Sequence, residues 1–99
     1  MANYRLTNKA LADLSEIWNY SFDRWSEKQA DTYYKMLIES CQLIADNSRL
    51  GKAYDDIYDY LLGLKVGQHI IFYRKINTEE IEITRILNSR MDLKNRIQD

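Results

Sequence analysis

Leu62-Gly63-Leu64-Lys65-Val66-Gly67-Gln68-His69-Ile70-Ile71-Phe72-Tyr73-Arg74 is the stretch that decides the fold class of this chain. Tyr60, Leu62, Leu64 and Val66 alternate with Leu61, Gly63 and Lys65, the period of two that turns one face of a strand inward. Gly67-Gln68 supplies a tight turn, and a second strand follows over residues 68–76, where Ile70, Phe72 and Arg74 oppose Ile71, Tyr73 and Lys75. Both faces are apolar near the middle, as a central strand requires. Asn77-Thr78-Glu79-Glu80 makes a hairpin loop of ordinary length. Ile81 and Ile83 then alternate with Glu82 and Thr84, and the alternation fails at Arg85-Ile86-Leu87, which predicts a bulge or an exit from the sheet. Beyond it, Asn88 or Ser89 caps a short C-terminal helix with Met91, Leu93 and Ile97 facing inward.

Upstream the period is helical. Tyr4-Arg5-Leu6-Thr7 is a short alternating segment, and Thr7 or Asn8 can accept an orphan backbone N–H at a helix start. Leu11, Leu14, Trp18, Phe22 and Trp25, with Ile17 beside them, make one apolar stripe on a helix running to about Arg24. The stripe places Trp18 in the core. Ser26 caps a second helix, whose stripe is Ala30, Tyr34, Leu37, Cys41 and Ile44, widened by Tyr33, Ile38 and Ala45. The Trp25-Ser26 link is short enough to demand a helical hairpin or a sharp bend. Residues 46–56 read as a loop in which Gly51 permits a positive φ. The expectation is therefore a single α+β domain over residues 1–99, in the order β-α-α-β-β-β. A helical hairpin is packed on a small, mainly antiparallel sheet, with a short C-terminal helix.

Composition narrows the function classes. Hydrophobic residues at 45% and charged residues at 29% are the proportions of a soluble globular domain. No apolar run spans a bilayer and no leader-like segment opens the chain, so a cytoplasmic protein with no membrane partner is expected. A net charge of −1 argues against general nucleic-acid binding. The charge is uneven: residues 1–59 hold seven Lys/Arg against ten Asp/Glu, and residues 60–99 hold seven against five. The basic character lies at the C-terminal end.

Catalytic constellations are scarce. One histidine and one cysteine cannot build a His/Cys metal cluster, and the three glycines, at 51, 63 and 67, make no phosphate loop. Neither metal nor cofactor is expected. Cys41 falls on a helical stripe, where a thiol serves as a small hydrophobe. Arg74, Arg85 and Arg90 come from two strands and the turn after them, so they are candidates to converge at one end of the sheet. With Tyr73 beside them they would grip a phosphate backbone or an acidic helix. The competing reading pairs Arg85 internally with Asp92 or Glu82. Trp25, Tyr54, Tyr58 and Tyr60 are aromatics with polar tips near element ends, candidates for a protein-binding surface.

Several stretches taken in order resemble the ParE branch of the RelE/ParE toxins. Leu6-Thr7 with Ala10-Leu11-Ala12-Asp13-Leu14-Ser15-Glu16-Ile17-Trp18-Asn19-Tyr20 is similar to the family's opening strand and first helix. Trp25-Ser26-Glu27-Lys28-Gln29-Ala30, with Tyr33 and Leu37, resembles its inter-helix junction and second helix, and Gly51-Lys52 its loop. His69-Ile70-Ile71-Phe72-Tyr73-Arg74 and Arg85-Ile86-Leu87-Asn88-Ser89-Arg90-Met91-Asp92 complete the pattern. Asn88 stands where family members often carry His, which removes a titratable group and keeps a capping one.

The resemblance implies the toxin half of a type II toxin–antitoxin pair that serves plasmid stabilisation. Such a toxin inhibits DNA gyrase without catalysis and is neutralised by a ParD-like antitoxin in a hetero-oligomer. By itself it has no sequence-specific hold on nucleic acid. It also implies Tyr73, Arg74, Arg85, Asn88, Arg90, Met91 and Asp92 as candidate gyrase or partner contacts, and Trp25, Tyr54, Tyr58 and Tyr60 as candidate antitoxin contacts. The alternative is a RelE-like, ribosome-dependent mRNA endoribonuclease. That chemistry needs proton carriers, and the tail after Leu87 has neither His nor Tyr.

Overall fold

In a computed structural model, which describes residues 2–98, the chain runs β1 (Asn3–Leu6), α1 (Asn8–Arg24), α2 (Glu27–Asp46), β2 (Lys52–Ala53), β3 (Leu62–Val66), β4 (His69–Lys75), β5 (Glu80–Asn88) and α3 (Leu93–Gln98). The strands form one sheet in the order β1-β5-β4-β3-β2. Every pairing is antiparallel except β1 with β5, which is parallel because the α1–α2 hairpin returns the chain before the sheet resumes.

The helices start where hydroxyls are available to cap them. Thr7 Oγ1 accepts from the Ala10 N–H at 3.1 Å and Ser26 Oγ from the Gln29 N–H at 3.1 Å. Between the helices only Trp25 and Ser26 intervene, so they fold back as a hairpin on one face of the sheet. The main core lies in that interface: Leu14 and Ile17 of α1 and Leu37, Cys41 and Ile44 of α2 meet Ile71, Tyr73, Ile81, Ile83 and Ile86 of the sheet. A smaller core on the opposite face holds Leu61, Ile70, Phe72 and Leu87. It is covered by Tyr54 and Ile57 from the loop before β3 and by Leu93 and Ile97 of α3. That β4 is buried on both faces follows from its double-sided apolar sequence.

Several expectations need correcting. The 46–56 segment is not wholly loop, because Lys52 and Ala53 pair with Gly63 and Leu62 as a fifth strand. Gly51 is needed for close approach rather than for its φ: a Cβ there would run into the Tyr73 hydroxyl and lie 2.9 Å from the Gly63 carbonyl. β3 begins at Leu62, not Tyr60. Of the two readings of the broken alternation, the bulge holds and the exit does not: the extra residue is Thr84, between the Ile83–Tyr73 and Arg85–Phe72 pairs, and β5 continues in register from Arg85 to Asn88 opposite His69. Asn88 and Ser89 do not cap α3. Asp92 immediately precedes it, and its carboxylate accepts from the Asn95 side-chain amide at 2.7 Å. Met91 is exposed, whereas Leu93 and Ile97 pack inward as expected.

The largest correction concerns α1. Its buried residues are Ala10, Asp13, Leu14, Ile17 and Ser21. Leu11, Phe22 and Trp25 are exposed and Trp18 is half-buried, so most of the regular apolar stripe faces away from the core. On α2 the expected stripe is buried apart from Tyr34.

Candidate functional site

The three arginines do not converge. β4 and β5 run antiparallel, so Arg74, opposite Glu82, lies toward one end of the pair, and Arg90, beyond the Asn88–His69 pairing, lies past the other. Arg74 Nε donates to Glu82 Oε1 at 2.9 Å, and Arg5 Nε approaches the second oxygen of Glu82 at 3.6 Å. The carboxylate thus ties β1, β5 and β4 together.

Arg85 is internal, and its partner is neither Asp92 nor Glu82. Its Nε and Nη2 donate to the two oxygens of Asp13 at 2.8 and 2.9 Å, a two-pronged pair that is largely buried. The reason is an edge left open. β1 stops at Leu6, so on that side the far half of β5 has no strand beside it, and α1 passes there instead. Asp13 accepts from the Ile86 N–H at 2.9 Å and Thr7 donates to the Thr84 carbonyl at 2.8 Å, standing in for the missing ladder. Arg85 Nη1 also donates to the Arg96 carbonyl at 2.9 Å, which holds α3 against the sheet. Arg85 therefore joins α1, β5 and α3.

Tyr73 is fully buried. Its hydroxyl donates to the Ser48 carbonyl at 2.7 Å and accepts from the Gly51 N–H at 2.9 Å, which pins the loop after α2, and burial raises its pKa. Of the tail residues, Asn88 Oδ1 accepts from the Arg90 N–H at 2.9 Å and its carbonyl accepts from the Met91 N–H at 3.1 Å, shaping a turn. That turn leaves Arg90 and Met91 exposed. Arg90 and Met91 are thus exposed on a turn that Asn88 shapes, while the Asp92 carboxylate turns to Asn95 of α3.

A contact that the sequence did not announce joins Tyr33 to His69. The Tyr33 hydroxyl lies 2.6 Å from His69 Nδ1 and accepts from the Gln68 N–H at 3.0 Å. The same hydroxyl donates to the Val66 carbonyl at 3.4 Å, so it bridges the His69 ring and the backbone on both sides of the β3–β4 turn. Burial holds the imidazole below its ordinary value, with Asp13 pulling the other way, and burial raises the Tyr33 hydroxyl. Two groups each held in the neutral form make a structural clasp between α2 and the β3–β4 turn. Gly67, at φ 58°, sits directly beneath it. Cys41 lies elsewhere, fully buried, with burial pushing its thiol up to about 12.

The outer side of the hairpin carries a different feature. Trp18 stacks on Phe22 with centroids 5.2 Å apart, and its indole N–H donates to Asp31 of α2 at 2.9 Å. Ser15, Trp18, Asn19, Asp31 and Tyr34 line an open groove of about 380 Å³ between the helices. Leu11 and Phe22, beside Trp18 on α1, add exposed apolar surface, and Trp25 stands at the helix end edge-on to Tyr20. Of the other aromatic candidates, Tyr54 is half-buried edge-on to Phe72. Tyr58 and Tyr60 are exposed, and they belong to the opposite face of the sheet.

The chain matches the family model described as the ParE toxin of the type II toxin–antitoxin system, parDE, over residues 4–93. It is 37% identical over 92 residues to Toxin ParE1 of Mycobacterium tuberculosis strain H37Rv, spanning 93% of this chain and 94% of that one. To Toxin ParE1 of Caulobacter vibrioides it is 34% identical over the same shares. Among solved structures, a chain of the chromosomal ParDE system from P. aeruginosa superposes with a TM-score of 0.75 at 20% identity. That match covers 89% of this chain and 96% of the other, and it shows the fold. With a family match over nearly its whole length and relatives of equal size above 30% identity, this chain belongs to the ParE toxin family of type II toxin–antitoxin systems, whose toxins are non-enzymatic.

Proposed function

We propose that this chain is a toxin that inhibits DNA gyrase and so replication, and that a ParD-like antitoxin neutralises it by laying an amphipathic helix in the groove of the α1–α2 hairpin. The observation that carries the antitoxin half is the exposed stripe of α1. Leu11 and Phe22 are exposed on α1 with the half-buried Trp18 between them, and Trp25 follows at the helix C-cap, an apolar surface suited to a second helix packing alongside. Apolar side chains at helical spacing around an open groove form the receiving half of helix-in-groove recognition. On the target side, Arg90 is the one of the three candidate arginines that remains once Arg74 and Arg85 are assigned to Glu82 and Asp13, and Met91 is exposed beside it.

The purified protein is expected to block supercoiling by gyrase while leaving RNA intact. Ribosome-dependent cleavage of messenger RNA, with gyrase unaffected, overturns the target assignment. Arg90→Ala is expected to lower toxicity with an unchanged thermal midpoint and unchanged antitoxin affinity. Full toxicity in that variant removes Arg90 from the contact surface.

A further inference from the structure

Residues 88–91 form a turn that is closed on itself and tied to the sheet at one point. The Met91 N–H donates to the Asn88 carbonyl at 3.1 Å and the Arg90 N–H to Asn88 Oδ1 at 2.9 Å. An Asn side chain that serves the backbone two residues on shapes such a turn locally, but it does not fix the turn against the rest of the molecule. That link comes from the Ser89 N–H, which donates to the Gln68 carbonyl at 2.9 Å. Among the described residues, Ser89, Arg90 and Met91 enter no other hydrogen bond or ion pair outside the turn.

Gln68 is itself held from α2. Gly67 and Gln68 are the two residues between β3 and β4, and the second residue of so short a turn has no ladder partner for its N–H. The Gln68 N–H donates instead to the Tyr33 hydroxyl at 3.0 Å. That hydroxyl donates to the Val66 carbonyl at 3.4 Å and lies 2.6 Å from His69 Nδ1, so it touches the residues on either side of the turn as well. A Cβ at residue 67 would stand 2.8 Å from the same oxygen, and glycine lets the turn close onto it. His69 is also the residue opposite Asn88, the last pair of the β4–β5 ladder. The Tyr33 oxygen is therefore two hydrogen bonds away from the Ser89 amide, with Gln68 as the residue between.

We propose that Tyr33 is a positioning residue for the tail turn: its hydroxyl holds Gln68, the Gln68 carbonyl fixes Ser89, and the direction in which Arg90 and Met91 point is set from α2. Its value to the toxin rests on Arg90 being a gyrase contact, as proposed above. Tyr33 itself packs against the main core and the His69 ring, 5.5 Å between centroids, rather than standing out toward a target. An exposed side chain gains from such a tether, because a backbone already fixed loses less freedom on binding.

Two variants of the whole protein cut the path at different points. Tyr33→Phe keeps the ring and removes the hydroxyl. Ser89→Pro removes the N–H that the Gln68 carbonyl receives. Ser89 is the second residue of its turn, the place proline favours, it has no positive φ, and Asn88 before it is in extended backbone. In Tyr33→Phe the Ser89 amide is expected to exchange its hydrogen about fivefold faster, the scale of one hydrogen bond, while the Ile71 and Ile86 amides exchange as before. Each variant, assayed well below its thermal midpoint, is expected to need about fivefold more protein to half-inhibit supercoiling by gyrase. The double variant needs no more than either one, because both changes cut the same link. A hydroxyl that only stabilises the fold would lower the midpoint and leave inhibition by the folded protein unchanged. Wild-type Ser89 exchange in Tyr33→Phe, or additive losses in the double variant, overturns the proposal. Loss of inhibition in Arg90→Ala with none in Tyr33→Phe does the same. Full inhibition by Arg90→Ala overturns the target role of Arg90 instead, and Ser89 exchange then decides the tether by itself.

Discussion

Asp13 and Arg85 show how a residue's role depends on what stands opposite it. Asp13 lies on the buried arc of α1 between Ala10 and Ile17, and a carboxylate there needs a partner of opposite charge. It finds one 72 residues away, together with the Ile86 N–H. Removing one member strands the other: Asp13→Ala is expected to cost about 3 kcal/mol, enough for a clear fall in the thermal midpoint. Replacing both residues by apolar ones is expected to cost less than either single change. A double-mutant cycle in urea checks this, and additive losses would show that the pair does not act as a unit. His69 gives a pH dependence. Its folded pKa is below the ordinary 6.5, so the unfolded chain takes up the proton more readily. Its contribution to stability is complete above about 6.5 and is lost as pH falls from there through the lower folded value. As this is the only histidine, unfolding in urea at pH 7 and 5.5 isolates the effect. His69→Gln is expected to flatten the slope, and an unchanged slope would assign it elsewhere.

The elements were largely legible because their signals are local. Caps at Thr7 and Ser26, the switch from helical to alternating period, and the Gly67-Gln68 turn each depend on residues a few positions apart. What local signals misplaced is the inward face of α1. Leu11, Trp18, Phe22 and Trp25 form the more hydrophobic stripe, yet the sheet takes the neighbouring arc of Ala10, Asp13, Leu14, Ile17 and Ser21. Small residues at 10 and 21 allow close approach, and Asp13 has to reach β5; both outweigh side-chain hydrophobicity. Leu14→Ala is therefore expected to cost about 3 kcal/mol, as a large-to-small change in a packed core does. Phe22→Ala is expected to cost under about 1 kcal/mol, as a change at an exposed position does. Thermal unfolding of the two variants decides it. A larger loss at Phe22 would place that ring in the fold's own core.

At the scale of the molecule, the sheet divides the protein into two working sides. One face is sealed by the hairpin, whose outer surface stays apolar. The other is covered by α3 and the 54–61 loop, where Tyr58 and Tyr60 are exposed. The apolar hairpin surface makes a prediction for the assembled state. An antitoxin bound there stabilises the toxin by mass action, about 2.7 kcal/mol at a hundredfold excess over Kd. Leu11→Ala with Phe22→Ala is expected to leave the free toxin's midpoint nearly unchanged and to remove most of the rise on adding antitoxin. An undiminished rise in that double variant would move the docking surface off the hairpin.

The amino-acid order by itself determined the α+β class, the hairpin, the strands around the Gly67 turn, the burial of Cys41 and the family. All of these follow from periodicity, capping and motif order, which act over short separations. Only the tertiary structure decided which of the three candidate arginines has no carboxylate partner among the described residues. Arg74, Arg85 and Arg90 look alike in sequence, but β5 outruns β1, α1 fills the gap, and Asp13 claims Arg85 while Glu82 claims Arg74. The fate of a charge depends on which opposite charge the fold brings within a few ångströms, and no local pattern in the chain encodes that distance.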